Sequence, residues 1–139
     1  CPDSGARTLL DMIDFNNANP ERCLQYGQSI ALEAQHRTSG TLTEPGYLRS
    51  RARTLRETRA LVDGLLRQHD LSCIAMAGWN NIPPSSGYPA ITVPIGAGAD
   101  TGHPIGLTFI GTAFSEPTLF RAAYAFEQFF GGRVVPTKI

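Results

Sequence analysis

Three short apolar runs, residues 71–76, 90–95 and 105–110, constrain this chain more than any other feature. None of them alternates cleanly between apolar and polar positions. Strands that read as apolar on both faces belong in a sheet covered from both sides, the arrangement of α/β proteins. Residues 96–104 carry Gly96, Gly98, Gly102 and Asp100 and read as the loop between the second and third runs. A helix follows. Ser115 is placed to cap it, Glu116 and Pro117 fall in its first turn, and Leu119, Ala122, Ala123, Phe126 and Phe130 keep helical spacing. Gly131 and Gly132 end it. The expectation is a tight β-hairpin feeding a helix. That helix should lay Leu119, Ala122, Phe126 and Phe130 on the sheet face carrying Ile91, Val93, Leu107 and Phe109.

The first half reads as helical. A short helix is expected over residues 8–15, capped by Thr8, with Leu9, Leu10 and Ile13 on one side. Asn16, Asn17, Asn19 and Pro20 break it, a second helix is expected over 21–36, and Gly40 marks the next turn. The longest helix is expected over 44–68 with Thr43 as its cap and an apolar stripe of Leu48, Ala52, Leu55, Val62, Leu65 and Leu66. Arg49, Arg51, Arg53, Arg56 and Arg59 crowd its other sides. These arginines make a solvated face whose stems cover apolar surface. They are not a nucleic-acid patch, because no aromatic residues interleave and 12 basic residues balance 12 acidic ones. The division that follows is residues 1–69, mainly helical, and 70–139, strands plus a C-terminal helix, with no evident domain boundary between them.

Bulk properties close off other classes. A hydrophobic fraction of 42% with 17% charged residues is globular, not disordered. No apolar run approaches the roughly 20 residues that span a bilayer. Cys1, Cys23 and Cys73 are odd in number and widely spaced, which argues for reduced thiols in an intracellular, cytoplasmic protein. His36, His69 and His103 are scattered, Cys73 sits in an apolar run, and no metal site or cofactor is expected. The chain opens on Cys1, so a processed, trimmed or incomplete N-terminus is expected.

The most informative stretch is Gly87-Tyr88-Pro89-Ala90-Ile91-Thr92-Val93-Pro94, continued by Gly102-His103-Pro104-Ile105-Gly106-Leu107, Phe109-Ile110-Gly111, Ser115-Glu116-Pro117-Thr118-Leu119 and Ala123-Tyr124-Ala125-Phe126-Glu127-Gln128. This order resembles the C-terminal end of the amidase-signature family. Tyr26-Gly27-Gln28 and Thr43-Glu44-Pro45-Gly46-Tyr47-Leu48 resemble the helical section before it. The resemblance implies a fragment of a three-layer α/β/α fold with a mixed β-sheet. It also implies hydrolysis of carboxylic amide C–N bonds by a Ser–Ser–Lys triad, in which a neutral buried lysine works through one serine on another. The family carries that set in its N-terminal half.

Here the one lysine is Lys138, near the end of the chain, and Ser85-Ser86-Gly87 matches the segment before the strand, where serines serve as loop residues. No catalytic residue is therefore carried over, and no catalysis is expected of this chain alone. The family pattern also has a longer loop where Gly78 runs directly into Trp79-Asn80-Asn81-Ile82-Pro83-Pro84. Trp79, Asn80 and Asn81 remain candidates for contact with a small-molecule amide substrate in the intact enzyme, as an apolar body beside amide hydrogen-bonding groups. The expected partners include no nucleic acid and no membrane, and homodimerisation is open. The competing reading is a non-catalytic interaction module derived from an amidase fold.

Overall fold

The computed structural model describes residues 5–78, 80–99 and 102–135. The elements in order are α1 (Leu9–Ala18), α2 (Pro20–Cys23), α3 (Ser29–Arg37), α4 (Pro45–Gln68), β1 (Ile74–Ala77), α5 (Ile82–Ser86), β2 (Ala90–Ala97), β3 (Pro104–Ile110) and α6 (Glu116–Phe130). The chain forms two compact units, Cys1–Ser50 and Arg51–Ile139, and the division falls within α4. The helical stretch ends at Gln68 and the first strand begins at Ile74.

In the first unit, α1 starts as its sequence implies. The Thr8 hydroxyl accepts from Asp11 N at 3.1 Å, and the Asp11 carboxylate accepts from Thr8 N and Arg7 N, each at 2.8 Å. This reciprocal box satisfies amide donors that a helix start leaves unpaired. The helix runs on through Asn16 and Asn17 to Ala18. The single helix expected over 21–36 is instead two, α2 and α3, separated by a turn at Gly27 with φ +71°. That left-handed conformation suits glycine, and the turn places Gln28 to accept from Asn16 Nδ2 at 3.0 Å and donate to Asn17 Oδ1 at 2.8 Å. Side-chain amides thereby replace a helical turn. Thr43 does not cap α4. Its hydroxyl lies 2.8 Å from that of Thr41, and Glu44, whose carboxylate accepts from Ser39 N, immediately precedes the helix.

In the second unit, three strands form a sheet in the order β1-β3-β2, and both pairings are antiparallel. The register puts Ile91, Val93, Leu107 and Phe109 on one face. Leu119 and Ala123 of α6 are buried against Val93 and Phe109, with Ala122 and Phe126 packed alongside, as the helical spacing predicts, whereas Phe130, expected on the same face, lies outside this cluster and is 49% exposed at the end of the helix. Phe126 meets Phe109 edge-on at 5.9 Å and stacks on Phe130 at 5.3 Å. Side chains of this size contribute about 1.5–3 kcal/mol each when fully buried, so this layer is a principal source of stability. Ser115 precedes α6, but its hydroxyl donates to the Thr112 carbonyl at 2.7 Å and accepts from no helix amide.

The opposite face carries Ile74, Met76, Ala90, Thr92, Thr108 and Ile110. Val62 and Leu66 of α4 bury Ile110 completely, and Ile74, Met76, Ile82 and Tyr88 pack around them. Helices therefore stand on both faces, which is the α/β layering expected. Strand β1 starts later than the apolar run suggests, so Cys73 precedes it, half-buried, with burial pushing its thiol pKa up.

Candidate functional site

Cover on the second face stops short. Beyond Ile110 the sheet opens into a groove of about 560 Å³ floored by Thr92, Gly106 and Thr108 and walled by Asn80, Pro83 and Pro84. Gly106 keeps the floor low, because a Cβ there would run into the Thr92 methyl. Thr92 and Thr108 face each other across the strands with their hydroxyl oxygens 2.8 Å apart. The pairing pattern explains that closeness. Gly111 N donates to Pro89 O at 3.3 Å, and Ala90, Thr92 and Pro94 then fall at the positions between ladder bonds, where facing side chains approach most closely. Pro94, which has no N–H, needs such a position, and the backbone groups of Thr92 point to the outer edge of β2.

The groove wall is α5, a helical turn that reads as a loop in the sequence. Pro83 and Pro84 sit at its start, where a missing N–H costs nothing. Asn80 anchors it: its side-chain oxygen accepts from Ile82 N at 2.7 Å, and among the described residues nothing accepts from its Nδ2. Asn80 is half-buried and lines the groove, whereas Asn81 is exposed at the start of α5. Trp79 lies outside the described residues. Of the three residues read from the sequence, the structure therefore places Asn80 in the groove. Ser86 is fully buried; its hydroxyl donates to Pro83 O at 3.1 Å and accepts from Tyr88 N at 3.2 Å, so it closes the turn. Lys138 also lies outside the described residues, and among those residues no group of His, Cys, Asp and Glu could hold a metal ion.

A polar lock behind α5 escapes sequence reasoning. Asp63 of α4 accepts from the Tyr88 hydroxyl at 2.7 Å and from the Thr112 hydroxyl at 2.8 Å. Arg59, one turn earlier, donates from Nε to the Ser86 carbonyl at 2.8 Å and lies over the Tyr88 ring at 5.4 Å. The Tyr88 hydrogen bond, then Thr112, Arg67 and Arg59, hold the Asp63 carboxyl below its usual range. The same bond to Asp63, then burial, pushes the Tyr88 phenol up. The only signal in sequence is an Arg and an Asp at i, i+4 spacing, which reads as an ordinary surface pair.

A sheet with α6 packed on one face and α4 on the other defines an α/β segment. No family model matches the chain. It is 35% identical over 130 residues to a probable amidase of Arabidopsis thaliana, a match covering 90% of this chain and 24% of that protein. It is 54% identical over 50 residues to a glutamyl-tRNA(Gln) amidotransferase component of an Exiguobacterium species, covering 36% of this chain and 10% of the relative. Among solved structures, native peptide amidase from Stenotrophomonas maltophilia superposes with a TM-score of 0.75 at 32% identity, over 96% of this chain and 30% of its own. An amidase family protein from Bacillus anthracis gives 0.76 at 25% identity, over 98% and 27%. The chain thus belongs to the amidase-signature family, and it spans about a quarter to a third of the length of the relatives that it matches along most of its own.

Proposed function

We propose that this chain is the C-terminal portion of an amidase that hydrolyses carboxylic amide C–N bonds, that its two compact units belong to one amidase-signature domain, and that it is inactive by itself. The observation that carries the reading is chemical. Amide hydrolysis by a Ser–Ser–Lys set needs a buried neutral lysine beside the nucleophile, and the chain's one lysine is Lys138. Ser86 adds support, since its hydroxyl is buried and committed to Pro83 and Tyr88. In this reading the groove contributes a wall of the acyl site. Trp79 offers an apolar surface, Asn80 donates from Nδ2 to the substrate carbonyl, and Asn81 contributes at the rim. The substrate is a small amide. No cofactor and no nucleic-acid partner is inferred, given balanced charge, and the compartment proposed is the cytoplasm, with Cys23 and Cys73 as free thiols.

The purified chain should show no turnover of a panel of aliphatic and aromatic amides. Turnover abolished by Ser85→Ala or Ser86→Ala would restore those serines as nucleophiles and overturn the proposal. Titration with benzamide, followed by NMR, should shift the Asn80 side-chain amide. If it shifts nothing in the groove, the acyl-wall assignment fails and the interaction-module reading moves ahead.

A further inference from the structure

Oppositely charged residues four apart on a helix ordinarily pair. Among the described residues this happens twice, Glu33 with Arg37 at 2.7 Å and Arg53 with Glu57 at 2.8 Å. Arg59 and Asp63 have the same spacing and form no ion pair. The two Asp63 oxygens are each taken by a neutral hydroxyl, from Tyr88 and Thr112. Arg59 turns the other way, with Nε on the Ser86 carbonyl and Cζ over the Tyr88 ring. Its two Nη groups make no hydrogen bond or ion pair among the described residues. The result is a planar cation held in place by one donated hydrogen bond and by a cation–π contact, with its remaining fork unspent.

That fork borders a second pocket, of about 470 Å³, which Arg59 lines together with Tyr88, Pro89, Phe114 and Glu116. It shares no lining residue with the groove at Asn80. Phe114 is the unusual member. It has φ +59° and is 92% exposed. A bulky side chain in the left-handed region is strained, and strain of this kind persists only where its surroundings hold it. Here the turn is held by Ser115, whose hydroxyl donates to Thr112 O, and by Thr112, whose hydroxyl donates to Asp63. The carboxylate that leaves Arg59 unpaired therefore also anchors the turn that presents Phe114.

We propose that this pocket binds the carboxylate of a small organic acid carrying an aromatic or branched apolar group. The Nη edge of Arg59 takes the carboxylate end-on, because Nε is already committed, and Tyr88, Pro89 and Phe114 flank the apolar part. Glu116 lines the same pocket and disfavours anions of higher charge, such as phosphate. The assignment does not rest on the amide-hydrolase reading.

The test is ¹⁵N-edited NMR on the full chain titrated separately with benzoate, benzamide and inorganic phosphate. Benzoate should shift the Arg59 Nε–H and the Phe114 amide saturably, in the millimolar range or below, and the other two should not. Arg59→Gln should weaken benzoate binding about tenfold or more, the size of a lost charge-assisted pair. Phe114→Gly keeps the test sound if Arg59→Gln fails to fold. Glycine relieves the left-handed strain, so this variant should melt no lower than the wild type yet bind benzoate about 3- to 10-fold more weakly. Equal response to benzamide or phosphate, no saturable shift at Arg59 and Phe114, or undiminished binding by Phe114→Gly would each overturn the proposal.

Discussion

The units Cys1–Ser50 and Arg51–Ile139 are stabilised by different means. In the first, Ile13 is the one apolar side chain buried among the described residues, while Phe15, Tyr26 and Ile30 stand exposed. What orders it is local and polar: the Thr8–Asp11 box, the Asn16 and Asn17 bonds to Gln28, and Ser39 on Glu44. In the second, Val62, Leu66, Val93, Phe109, Ile110, Leu119 and Ala123 are all buried, and contacts join residues far apart in sequence. Burial contributes more per side chain than a cap or an exposed hydrogen bond does. The contrast teaches that the buried core here follows the apolar layers on the sheet, and that the pockets at Asn80 and at Arg59 are both carried by the unit that has them.

The sharpest way to break this contrast is Ile110→Ala. Ile110 is fully buried between α4 and the sheet, so the change should cost about 2–5 kcal/mol in denaturant unfolding of the second unit. Ile13→Ala should cost distinctly less, and equal losses would mean that the first unit has a comparable core.

A smaller effect tests the lock. Asp63→Asn removes the charge that accepts from Tyr88 and Thr112 and should cost about 1 kcal/mol near neutral pH. The sign with pH follows from the shifts. Asp63 is lowered from an ordinary 3.8, so its contribution is present above that value and is lost as pH falls through the lower folded value. Tyr88 is raised from an ordinary 10.0, so its contribution is present below that value and is lost as pH rises through the higher folded value. Melting temperature measured against pH should therefore fall in strong acid for the wild type and less so for Asp63→Asn. Parallel acid limbs would remove Asp63 as the cause.

Thr8→Ala should cost about 1 kcal/mol, and its effect should stay local, with faster amide exchange in α1 and none in the strands. Accelerated exchange in β2 and β3 would show that the two units unfold as one. The smallest effect expected is at the exposed Arg53–Glu57 pair, where Glu57→Gln should change stability by roughly 0.5 kcal/mol or less, and less still in high salt.

Much of this was legible from residues alone, and for identifiable reasons. The Thr8 cap, the α6 stripe of Leu119, Ala122 and Phe126, and the glycine that ends α6 are local regularities with a short period, and a helix repeats them faithfully. The split between α2 and α3 was not legible, because Gly27 is compatible with a helix until Gln28 finds Asn16 and Asn17. Asn80 could be picked out as an amide beside an apolar residue, but not its anchoring of α5.

What the sequence by itself determined is α1, α4, the three strands, α6 and the family, through apolar runs, caps and the Gly87 to Gln128 motif order. What only the tertiary structure decided is which polar groups are spent. Asp63 and Arg59 look like a pair when read along one helix, and they are parted because Tyr88, Ser86 and Thr112, 25 to 49 positions further on, reach them first. Hydrogen bonds across such separations depend on where the sheet sets its strand ends, and no local pattern records that.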